Sequence, residues 1–148
     1  MDKKGFLLIE ALMGIFLLAI IAVTCLPILN TGVNNIRMTK EKMEMLLMAE
    51  SIIEQIKAFD YSWEDDKYLF DMSLSTLIDI LNGSDNISVK LPLDCKNLKS
   101  DYYCIIDKEN IGDELWKLHV LLTSKDINSR IKNIDIVAFV PVPKRVEI

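Results

Sequence analysis

Three groups of side chains in this chain are of kinds that do chemistry. The first is a single carboxylate, Glu10, the only charged side chain between Phe6 and Leu29. A charge at the centre of a bilayer costs about 2.5–3.5 kcal/mol on insertion scales, so such a group snorkels to the near face, finds a cationic partner or marks function. The second group is thiol and imidazole: Cys25, Cys95, Cys104 and His119. The third is the run of carboxylates Asp60, Glu64, Asp65, Asp66 and Asp71, which invites a calcium reading.

The last two groups carry little. In "LWKLHVLLT", His119 alternates with Lys117 onto the polar side of a strand, while Trp116, Leu118, Val120 and Leu122 point the other way. It reads as a surface residue rather than a base, and no cysteine stands beside it at metal-site spacing. The acidic run lacks the ordered alternation and central glycine of a calcium loop, and reads as a solvated loop. There is no serine nucleophile elbow and no glycine-rich phosphate loop. Neither an enzyme nor a bound cofactor or metal is expected. With 22 acidic against 17 basic side chains and no Lys/Arg cluster, a nucleic-acid surface is not expected either.

The elements that must position Glu10 are more informative. Residues 6–29 are long and apolar enough to cross a bilayer, which takes about 20 residues of helix. Lys3 and Lys4 precede the run with no comparable pair directly after it, so the N-terminus is expected on the cytoplasmic side and everything past Leu29 outside. A cleaved secretory signal is disfavoured by the length of the run and its ending, "TCLPIL". A lipoprotein cut before Cys25 is disfavoured by Val23, Thr24 and the immediate Pro27. Cys25 itself reads as a small apolar residue.

Past "NTGVNN" at 30–35, where Gly32 is the weakest helical position, a helical period resumes. Met43, Leu46, Leu47, Ile53 and Ile56 form a stripe opposite Glu41, Lys42, Glu44, Glu50 and Glu54. Leu47, Ile53 and Ile56 are expected to cover the core of the same chain. One helix from about Phe6 to Phe59 results, membrane-like over 6–29 and amphipathic over 30–59. Residues 62–73 read as an acidic loop. A short helix capped by Ser73 stops at Asn82-Gly83. Strands are expected at 87–93, 102–107, 115–124 and 133–142, separated by Asn, Asp, Lys, Ser and Gly. The fold class is therefore α+β: a long N-terminal helix whose distal half packs on a small antiparallel sheet of about four strands, with residues 60–148 as the globular domain.

Taken together, Lys3-Lys4-Gly5-Phe6, then Glu10, then the apolar helix ("KKG-FLLIE") resemble the class III signal of the type IV pilin and pseudopilin family. The resemblance implies that a prepilin peptidase removes residues 1–5 by cutting between Gly5 and Phe6, and that it methylates the new amino terminus on Phe6. It implies that Glu10 meets the amine of a neighbouring subunit during filament growth, and that Gly14 and Pro27 bound a flexible part of the helix. Other pilin subunits, major and minor, and an inner-membrane assembly platform follow as partners. The small domain implies a minor pilin or pseudopilin, first a single-pass membrane protein and then part of a surface filament. The family also encourages a Cys95–Cys104 disulfide, which an exported domain permits, against two free thiols packed in the sheet. The rival reading is a single-pass or lipid-anchored extracellular binding domain that does not polymerise.

Overall fold

A computed structural model describes residues 3–62, 67–93 and 100–143, with side chains from Phe6 onward. The first element, α1 (Lys3–Lys57), runs through "NTGVNN" without interruption. Gly32 and the three asparagines lower helix propensity there, but by only a few tenths to about 1 kcal/mol each, which is too little to break it. Thr31 and Thr39 donate to the carbonyls of Pro27 and Asn35, and Asn34 to the Asn30 side chain at 3.5 Å, so this polar stretch satisfies its side chains along the helix itself.

The chain divides into two units, Met1–Lys40 and Glu41–Ile148. In the first, every side chain from Phe6 to Leu29 is exposed. The helix there is long and apolar enough to cross a membrane.

The second unit is built on α1 from Glu41 onward, followed by β1 (Tyr68–Leu69), β2 (Met72–Ser73), α2 (Leu74–Asn82), β3 (Asn86–Leu91), β4 (Tyr102–Ile111), β5 (Leu115–Ser124) and β6 (Asn133–Pro141). β3 to β6 form one sheet in the order β3-β4-β5-β6, every neighbour antiparallel. Strand alternation sends Trp116, Leu118, Val120 and Leu122 of β5 inward, with Cys104 and Ile106 of β4, Val89 and Leu91 of β3 and Ile134 and Val140 of β6. Leu74, Leu77, Ile78 and Leu81 of α2 complete that core, and Ser73 caps α2 by accepting from the Thr76 N–H. The fold is α+β.

Three expectations change. The core-facing stripe of α1 is Met45, Ala49, Ile52, Ile53 and Ile56, whereas Leu47 is 56% exposed and Met43 is exposed as well. "MEMLLMAESII" is apolar around much of the helix, so two phases of the period fit it, and the core selects the one containing small Ala49. β4 continues to Ile111 instead of stopping at 107, and β3 ends before Pro92. Within the expected acidic loop, Leu69 and Met72 pair as a hairpin whose turn holds Phe70 at φ +57. Asn or Gly normally announces such a turn, so a phenylalanine hides it.

Candidate functional site

The candidate site is the N-terminal end of α1. Gly5, Phe6 and Glu10 lie in the same helix, and Phe6 and Glu10, at i and i+4, share a face. Phe6 is 69% exposed and Glu10 is exposed. Among the described residues no cation pairs with Glu10. In a bilayer this carboxylate needs a partner from outside the described chain, or contact with the headgroups.

Gly14 lies in open surroundings, with nothing within 4 Å of where a β-carbon would stand. Pro27 sits inside the helix. Having no N–H, it leaves the Val23 carbonyl without its helical donor. Thr24 Oγ1 stands one residue later and donates to the carbonyls of Ile20 and Ile21, at 2.9 and 3.1 Å. Thr31 donates to the Pro27 carbonyl at 2.9 Å. The helix therefore continues through Pro27 with hydroxyls bonded to its backbone on both sides, an arrangement that tolerates proline in an apolar setting.

The remaining candidates fall elsewhere. Cys25 is exposed on α1, and Cys104 is a buried free thiol in β4. Burial pushes the Cys104 thiol up to about 12. Its expected partner, Cys95, lies outside the described residues, as do Glu64, Asp65 and Asp66. Asp60 accepts from the Ser62 N–H at 2.9 Å, and that bond holds its carboxyl below the usual range. His119 stands on the solvent face of β5, as the alternation requires, with Nδ1 3.6 Å from Asp107 and Nε2 3.6 Å from Asp135. It borders a shallow hollow of about 600 Å3 with Ser88, Asp107, Glu109 and Lys117. Among the described residues no group of three or more His, Cys, Asp or Glu gathers to hold a metal.

One residue was missed in the sequence. Lys108, at 3% exposure, points into the core side of β4, donates to the Ser84 carbonyl at 2.6 Å and lies 5.0 Å from the Trp116 ring centroid. Burial lowers its ammonium from the ordinary range, and Asp85 opposes that shift. Extending the period-2 pattern past Asp107 would have placed it inward.

Searches against protein-family models, curated proteins and solved structures find no match to this chain.

Proposed function

We propose that this chain is a minor pilin or pseudopilin: a membrane-stored subunit that loses residues 1–5 and joins a filament through its apolar helix. The observation that carries the reading is Glu10, a lone carboxylate on the exposed, lipid-compatible face of α1, one turn from Phe6. Cleavage between Gly5 and Phe6 would create a cationic amine in apolar surroundings. A carboxylate at close range offsets part of the desolvation of both groups when their geometry is good. Supplied by adjoining copies, the two charges fix where the next subunit docks.

The local backbone suits the cut. Gly5 lies in the first turns of α1, where N–H groups lack helical acceptors and helix ends fray. A protease takes extended backbone, and glycine gives up a helical conformation at the least loss. The mechanism assigns no catalysis to this chain. A separate peptidase hydrolyses the peptide bond and adds the methyl group, and a membrane assembly platform drives insertion into the fibre, at the cell surface or in a secretion or uptake device.

The test is the mass of the mature N-terminus, measured on protein extracted from membranes. The expected chain starts at N-methylated Phe6. Retention of Met1 or Asp2, or a start at acylated Cys25, would replace this reading with an anchored extracellular domain that does not polymerise.

A further inference from the structure

The four-stranded sheet ends in two edge strands, β3 and β6, and the phase of its ladders fixes what each edge presents. The Asn110 N–H donates to the Asp85 carbonyl at 3.0 Å, Ser124 to Lys132 at 2.9 Å and Val142 to Glu114 at 2.9 Å. In an antiparallel ladder a residue sends its N–H and C=O the same way, and the direction alternates along the strand. Carried through the registers, this turns Ile134, Ile136, Ala138 and Val140 toward β5, and Asn133, Asp135, Val137 and Phe139 outward. On β3, Ile87, Val89 and Leu91 face β4, while Asn86, Ser88 and Lys90 face outward. Among the described residues no group bonds these outward backbone atoms.

The two edges are complementary. Both outward sets carry their side chains on the solvent face of the sheet. Three antiparallel steps make β6 antiparallel to β3, so a second copy beside the first in the same orientation offers its β3 antiparallel to β6. Lys90, Ile105, Leu121 and Asp135 form one continuous cross-strand row, with a cation at one end and an anion at the other. Without any slide along the strands, Asp135 of one copy meets Lys90 of the next, Val137 meets Ser88 and Phe139 meets Asn86. Asp135 keeps 68% of its side chain exposed beside His119, so it remains available.

β6 carries little of what usually blocks edge pairing. Its one charged residue is Asp135, and its one proline is the last residue, Pro141. Pairing β6 with a second β6 would set Asp135 against Val137, Phe139 or another Asp135, whereas pairing with β3 matches opposite charges.

We propose that copies of this chain join edge to edge through their sheets, β6 of one to β3 of the next, with Asp135 paired to Lys90 of the second copy. The contact is heterologous, so it leaves a free β3 at one end and a free β6 at the other and can repeat. It goes beyond the filament reading and does not depend on removal of residues 1–5.

The experiment uses the full chain in lipid nanodiscs or detergent, mixed from isotopically light and heavy preparations and treated with a zero-length carbodiimide. Within one copy, Lys90 and Asp135 lie about 14 Å apart, three strand spacings of about 4.8 Å, too far for such a link. The expected product is a light–heavy peptide joining Asp135 to Lys90. Asp135→Lys or Lys90→Glu alone removes one of the reacting groups, so each is read by sedimentation instead and should weaken association at least tenfold, while the two together in one chain should restore both the association and the link. Val137→Pro removes only an outward N–H, so it should abolish the link while the domain still unfolds cooperatively. The proposal is overturned if the chain stays monomeric, if the link is absent or joins other segments, or if the single charge reversals leave association unchanged.

Discussion

Phe6 and Glu10 lie one helical turn apart on α1, both exposed, at the N-terminal end of a helix that is apolar to Leu29. The positive end of the helix dipole attracts a carboxylate in the first turn by only about 0.3–1 kcal/mol, and Glu10 stands about two turns in from Lys3, where less remains. That is well short of the roughly 2.5–3.5 kcal/mol that a charge costs in the middle of a bilayer. The helix does not account for Glu10 by itself, which is why the proposed reading gives it a cation from another chain.

On the proposed pilin reading, Glu10→Ala is expected to leave cleavage after Gly5 intact and to abolish incorporation into filaments. Glu10→Gln should behave the same way, because it keeps size and hydrogen bonding while losing the charge. The readouts are the mature mass in the membrane fraction and the amount of subunit in the sheared filament fraction. Normal incorporation of either variant removes the assembly role from Glu10.

The corrected face of α1 separates two substitutions of the same kind. Ile52 is 2% exposed and packs in the core, so Ile52→Ala should cost about 2–5 kcal/mol. Leu47 is more than half exposed, and Leu47→Ala should fall within about 0.5 kcal/mol of wild type. Denaturant midpoints of the two variants, measured with the same slope, decide it. A large loss at Leu47 would return the core to the phase that the sequence favours.

Legibility followed the strength of local pattern. β5 lies at 115–124 as expected, because strict alternation around Trp116, Leu118, Val120 and Leu122 admits only one phase. α2 was legible from Ser73 at one end and Asn82-Gly83 at the other. The stripe around Leu47 was not, because Met45, Leu46, Leu47 and Met48 leave the apolar side of the helix undefined. The β1–β2 hairpin is too short for a period, and its turn uses Phe70 where Gly or Asn would have signalled it. The edge complementarity of Lys90 and Asp135 depends on register, which sequence alone does not fix.

Cys104 gives the reduced chain an alkaline weakness. Burial raises its thiol from 9.0 to about 12, so between those values the folded chain holds a proton that the unfolded chain has released. The stabilisation is complete below pH 9 and is lost as pH rises toward 12. Wild type should lose stability relative to Cys104→Ala over that window, and the gap between them should stay constant from pH 6 to 8. Iodoacetamide should reach Cys104 only on unfolding, and modification of the native chain at pH 8 would contradict its burial.

Lys108 responds to pH in the opposite sense. Its folded ammonium releases its proton more easily than the unfolded one, so the penalty of burying the charge is carried in full at neutral pH. As pH rises toward 10.5 the unfolded chain holds the extra proton, and the folded state gains. Lys108→Met keeps the packing against Trp116 and removes the donor to the carbonyl of Ser84, an exposed residue that water can reach, so the hydrogen bond lost is of the ordinary size of about 0.5–1.5 kcal/mol. The stability of wild type relative to Lys108→Met should therefore rise as pH climbs toward 10.5, because wild type sheds its burial penalty and the variant has none to shed. A relative stability that falls as pH climbs toward 10.5 would mean the ammonium, rather than the amine, is what the fold prefers at Ser84.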